Sequence, residues 1–128
     1  MNAPQLVSIK VKKTSREMQL VFADQQEFAL TFEFLRVHSP SAEVKGHGPG
    51  QEILQIGKRD VVITAVNPVG HYAFQITFND GHDSGLYSTA YLYRLGQQQE
   101  VLWQDYLARL ERAGESQDPD VQVVRLGN

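Results

Sequence analysis

In the first third of the chain, hydrophobic positions recur at every second residue. Val7, Ile9 and Val11 alternate with Ser8, Lys10 and Lys12, and Met18, Leu20 and Phe22 repeat the pattern. A period of two places one face on a core and the other in water, so both stretches are predicted as strands. The polar run "ADQQ" turns the chain into a third, short strand with Phe28 and Leu30 inward. The period then changes. Phe32, Phe34 and Leu35 crowd together behind Thr31, which predicts a short helix near 31–37 capped by the Thr31 hydroxyl.

The middle of the chain returns to strands. "DVVITAV" is apolar on both faces and is expected at the centre of a sheet. "NPVG" reads as a turn. In "HYAFQITFN", Tyr72, Phe74, Ile76 and Phe78 are expected inward, with His71, Gln75, Thr77 and Asn79 outward. Asp80-Gly81 is the signature of a tight type I′ hairpin, and "HDSGLY" is expected as its returning strand.

The last third is helical. Ser88 is placed to cap "TAYLYRL" and Gly96 to end it. A second helix carries Leu102, Trp103, Tyr106, Leu107 and Leu110 on one face, with Gly114 as its stop. Residues 115–128 are expected as a mobile tail, in which "VQVVRL" could pair as an edge strand. Strands followed by helices indicate an α+β domain: a largely antiparallel sheet, a short helix after its third strand, and C-terminal helices packed on one face.

One stretch fits neither period. "HSPSAEVKGHGPGQ", residues 38–51, holds two of the four histidines and almost no hydrophobic residue. Structureless loops longer than about 12–15 residues are uncommon in compact domains and usually functional or disordered. Its prolines and glycines suggest a shaped path.

Composition narrows the classes. A net charge of -3 without a basic block argues against general nucleic-acid binding. No apolar run approaches membrane-spanning length, and "MNAPQLVSIK" lacks the apolar stretch of a signal peptide, so a cytoplasmic protein is expected. With no cysteine there is neither disulfide nor thiolate chemistry.

His38, His47, His71 and His82, with Glu43, Asp80 and Asp83, supply imidazole and carboxylate groups of the kind that hold zinc, iron or nickel, but their spacing matches no compact metal signature. "GHGPGQ" is not a phosphate-binding loop, and Lys58-Arg59 reads as the polar start of a strand. Ser39, Ser41 and Ser84 lie in no nucleophile elbow.

Taken together, "FLRVHSPSAEVKGHGPGQ", "GKRDVVI", "VNPVGHYA" and "FNDGHDSGLYSTAYLYRLG" resemble the gamma-butyrobetaine hydroxylase-like N-terminal domain family over roughly residues 5 to 97. The resemblance implies such a domain at 1–97, a helix at 98–114 packed on it, and the tail. Stand-alone bacterial members are a family of unknown function. In larger proteins this domain precedes the catalytic barrel of gamma-butyrobetaine and trimethyllysine hydroxylases, and a similar one ends a plant ATPase that carries iron–sulfur clusters.

In the hydroxylases the domain holds a structural zinc with three cysteines, spaced C-x-C-x-x-C, and one distant histidine. Laid over this chain, the cysteine positions fall on Ser39, Ser41 and Val44, and the histidine on His82. The resemblance therefore implies that the 38–51 loop lies against the 80–83 turn, bringing His82 near His38 and Glu43. It does not bring the barrel's iron and 2-oxoglutarate chemistry. The expected function is a non-enzymatic accessory or binding domain with a protein partner, acting through that loop and turn. The alternative is a metal-binding protein of iron or iron–sulfur metabolism, holding iron or zinc weakly through His82 with His38, His47 or Glu43.

Overall fold

The computed structural model describes residues 3–121 and 124. Six strands and four helices follow in order: β1 (Leu6–Lys12), β2 (Glu17–Phe22), β3 (Glu27–Thr31), α1 (Phe32–Val37), α2 (Ala42–Lys45), β4 (Ile63–Val69), β5 (Ala73–Phe78), β6 (Leu86–Ser88), α3 (Thr89–Gln97) and α4 (Gln99–Ala113). The α+β class stands. The strands form two three-stranded antiparallel sheets, β1-β2-β3 and β4-β5-β6. No helix among the described residues is long and apolar enough to cross a membrane.

Alternation in β2 and β5 builds the core. Met18, Leu20 and Phe22 from one sheet meet Ile63, Ile76 and Phe78 from the other, with Phe32, Phe34 and Leu35 of α1 and Leu92 and Leu95 of α3 in the same cluster. A smaller cluster of Val37, Tyr106 and Leu110 seats α4. Thr31 caps α1, its hydroxyl accepting the Phe34 amide at 3.0 Å, and Ser88 caps α3 through the Tyr91 amide at 3.0 Å.

Several local expectations give way to tertiary demands. Leu6 pairs with Phe22 but Ser8 with Val21, so Val7 is an extra, bulged residue and points out, 65% exposed. Leu6, Ile9 and Val11 take the inner side. β4 is an edge strand, not a central one, and runs on through Pro68, which an edge tolerates. The turn comes later, at Gly70, and Tyr72 stands outside at 75% exposure. Asp80-Gly81 does not form a type I′ turn, because only Gly81 has a positive φ. β6 begins at Leu86, opposite Gln75; the His82 carbonyl still accepts the Phe78 amide at 2.9 Å, and residues 83–85 carry no strand pairing.

Gly96 does not end α3, which continues to Gln97. It sits against Phe28, where a β-carbon would fall well inside contact distance of the ring. Phe28 is itself held edge-on by Phe22 and Tyr93. In an open helix Gly→Ala stabilises by about 1 kcal/mol. Gly96→Ala is expected instead to destabilise by about 1–3 kcal/mol, the cost of overpacking, in urea titration.

Gly114 ends α4 in the left-handed conformation, with its amide on the Glu111 carbonyl and the Glu115 amide on Leu110. The chain does not leave the domain at 115. Backbone bonds from Gly57 to Ser116 and from Arg59 to Gln117 hold this segment on the 57–59 stretch. The edge strand suggested for "VQVVRL" lies largely outside the described residues.

Candidate functional site

The 38–58 segment has a skeleton of its own. Ser41 starts α2, its hydroxyl accepting the Glu43 amide at 3.2 Å. Gly46, at φ 71, ends the helix, and the Ile53 amide returns to the Val44 carbonyl at 2.8 Å. This four-residue helix was not expected, because Val44 is the only apolar residue in "SAEVK" that packs inward.

The segment is joined to residues 80–84 by side chains. The His82 Nε2 lies 2.8 Å from the Ser39 hydroxyl, and its Nδ1 lies 3.3 Å from Glu43 Oε2. The Ser41 and Ser84 hydroxyls bond each other at 2.7 Å. One tautomer satisfies every atom. Nδ1–H donates to Glu43, Ser39 O–H donates to Nε2, and the Ser39 oxygen accepts the Ser41 amide at 3.3 Å. Ser39 has no exposed surface, and His82 is 5% exposed. Gly85 closes over the joint; a side chain there would strike the Ser39 hydroxyl. Burial, aided by the nearby Arg36 charge, lowers the His82 pKa and so favours the neutral imidazole, against the opposite pull of Glu43.

An ion cluster anchors the turn. Asp80 Oδ2 accepts from Arg36 Nε at 2.9 Å and from Lys58 Nζ at 2.8 Å, while Oδ1 accepts the His82 amide at 3.2 Å. Arg36 also donates to Gln55 Oε1 at 3.0 Å. Sequence reasoning passed over Arg36 and Lys58 in this role, and Ser84 as the partner of Ser41. The available signal was an arginine inside the apolar run "FEFLRV", which needs a buried partner.

Of the four residues expected around a metal, the structure brings two together. His82 and Glu43 meet. His38 instead donates from Nδ1 to the Phe34 carbonyl at 3.0 Å and packs, tilted, against the Phe34 ring, with burial lowering its pKa. His47 is exposed and without a hydrogen-bond partner among the described residues. No group of three His, Cys, Asp or Glu is placed to hold a metal among those residues.

The zinc set implied by the sequence resemblance does not fit. Val44, buried at 6% exposure, offers no donor, and the Ser39 and Ser41 hydroxyls are spent on His82 and Ser84. A direct Ser39–His82 bond stands where thiolate and imidazole would meet a metal. The Ser39–His82–Glu43 order is also that of a nucleophilic triad. A serine with no exposed surface cannot meet a substrate, so the arrangement works as a staple.

Residues 9–93 match the family model described as gamma-butyrobetaine hydroxylase-like, N-terminal. No curated protein matches the chain. A protein solved in solution by NMR is 46% identical over 98% of each chain, with a TM-score of 0.82. A second NMR structure is 44% identical, covering 99% of this chain and 96% of that one, with a TM-score of 0.79. A crystal structure of a protein of unknown function from the DUF971 family of Acidithiobacillus ferrooxidans is 39% identical. It covers 74% of this chain and 98% of its own, with a TM-score of 0.62.

Proposed function

The chain belongs to the gamma-butyrobetaine hydroxylase-like, N-terminal family, and on that footing we propose that it is a non-enzymatic binding domain whose 38–58 segment docks a cytoplasmic protein partner. The observation that carries this reading is a pair of isoleucines held rigidly in water. Ile53 and Ile56 are 54% and 46% exposed. The two residues between them point in and are fastened. Leu54 packs on the Val37–Tyr106–Leu110 cluster, and Gln55 takes bonds from Arg36 and, at its carbonyl, from the Tyr106 hydroxyl at 2.7 Å. Exposed apolar side chains on a fixed backbone lose little entropy on docking, which suits a contact surface.

The staple supports the same reading. Ser39, Ser41, Glu43, His82 and Ser84 bond to one another, and the serine beside the imidazole, Ser39, is buried. Their role is to hold the segment in shape against the 80–84 turn.

The test is a photo-crosslinking residue at position 56, compared with the same protein carrying Ile53→Asp. The expected result is a discrete adduct in cell extract that falls about tenfold in the variant, as for a central apolar contact. An unchanged adduct pattern in a folded Ile53→Asp protein, or reproducible turnover on screened substrates, would count against the proposal.

A further inference from the structure

We propose that the groove between α1, the start of α4 and the turn at Ser15-Arg16 binds a planar nitrogen heterocycle that bears an anionic group, with Trp103 under the ring and Glu33 taking its N–H. The site lies apart from the 38–58 segment and does not depend on the function proposed for it. The groove has a volume of about 490 Å³, within the range of small-molecule sites. It is lined by Arg16, Glu33, Phe34, Arg59, Gln99 and Trp103, among others.

Glu33 makes this a built site. It is 9% exposed, and its Oε2 accepts from Gln117 Nε2 at 2.8 Å. Its Oε1 has no hydrogen-bond partner among the described residues. No buried side-chain oxygen or nitrogen among those residues is left unpaired, so Oε1 keeps a path to solvent, and the groove is that path. Burial raises the carboxyl's pKa even though Gln117, Arg59 and Arg16 pull the other way. A carboxylate so placed is a strong acceptor with one oxygen to spare.

Two cations, Arg16 and Arg59, line the same groove. Arg16 adopts φ 59, a conformation that non-glycine residues seldom take. Its Nη2 is committed to the Arg59 carbonyl at 3.1 Å and the Val61 carbonyl at 2.8 Å, leaving Nε and Nη1 without bonds among the described residues. Arg59 is exposed and only loosely paired, 3.7 Å from Asp118. Guanidinium groups recognise oxyanions, an indole face takes a flat ring, and a carboxylate oxygen accepts from a ring or exocyclic N–H. A single ligand meeting all three is a heterocycle with an anionic tail.

The bland account is that Glu33 serves α1, where an acid in the first turn favours the helix terminus. The two accounts differ in what Glu33→Gln does. Trp103 is the only tryptophan in the chain and lines the groove, so its fluorescence reads the site. The probe is AMP, with adenosine and inorganic phosphate as its two halves. The expected result is a saturable change in Trp103 emission with AMP, a weaker one with adenosine and none with phosphate. Glu33→Gln is expected to keep or raise the melting temperature while weakening AMP about tenfold, the loss of one hydrogen bond to a charged group. Arg59→Ala is expected to bring AMP down to adenosine. No saturable change at millimolar AMP would overturn the proposal. So would a full response to phosphate alone, or a Glu33→Gln protein that melts lower and binds AMP as before.

Discussion

Asp80→Asn is expected to lower the stability of the domain by about 2 kcal/mol, less than for a fully buried pair, because Arg36 is buried but Asp80 is partly open to solvent. The Arg36 side chain is 7% exposed and its Nε has Asp80 as its acceptor. An asparagine oxygen can still accept one hydrogen bond but cannot balance that charge. Lys58, on the same oxygen, would turn to water. Arg36 would keep only the Gln55 contact.

The pH dependence separates this from a general packing defect. Burial works to raise the Asp80 pKa, but Lys58, the His82 amide and Arg36 outweigh it and hold the carboxyl down from 3.8 to about 2. A depressed folded-state pKa means that the stabilisation is complete above the unfolded value and disappears as pH falls through the folded one. At 1.36 kcal/mol per pH unit, that shift sets a ceiling of about 2 kcal/mol, which solvent screening at the partly open carboxylate reduces. The gap between wild type and Asp80→Asn should therefore be constant near neutrality and narrow as pH drops below about 4. Urea titrations across that range measure it, and a gap independent of pH would show that the ion cluster is not its source.

The second large effect is a gain. Ser39→Cys, Ser41→Cys and Val44→Cys in one protein supply three thiolates around His82. Without zinc the variant is expected to melt below wild type, because the bonds of the Ser39 and Ser41 hydroxyls are gone and Val44 leaves a smaller side chain in a buried place. With zinc at a thousand times its dissociation constant, mass action adds about 4 kcal/mol. The rise in melting temperature should reverse with a chelator and vanish when His82→Ala is added. A triple variant that takes up no zinc would show that the 38–51 segment and the 80–84 turn are not spaced as a metal site.

The strands and helices were legible because their periods are clean. Met18-Leu20-Phe22 and Phe74-Ile76-Phe78 alternate, and Thr31 and Ser88 stand where caps belong. The errors sit where a neighbour distant in sequence decides. Nothing near Val7 announces a bulge. Asp80-Gly81 does turn β5 towards its antiparallel partner β6, but through a wider loop than the type I′ turn read from it, with Asp80 held by Arg36, 44 residues away, and His82 by Ser39. Gly96 looks like a stop until Phe28 is placed over it. The meeting of the 38–51 loop with the 80–83 turn was legible only through the family's zinc pattern. His38 was misplaced because that pattern says nothing of the carbonyl that captures its ring. The groove around Glu33 was invisible, since its walls come from four separate parts of the chain.

The staple has a consequence for the order of folding. Ser39 and His82 are 43 residues apart. Closing a loop of that length costs about 3 kcal/mol or more in chain entropy, while each hydrogen bond returns about 0.5–1.5 kcal/mol. The staple cannot draw the chain together; it forms only after β4, β5 and the core have brought its halves into reach. Its contacts therefore belong to the descent from the transition state and not to the climb. Weakening them speeds unfolding and leaves the folding rate almost untouched, so the staple acts as a latch on the finished domain.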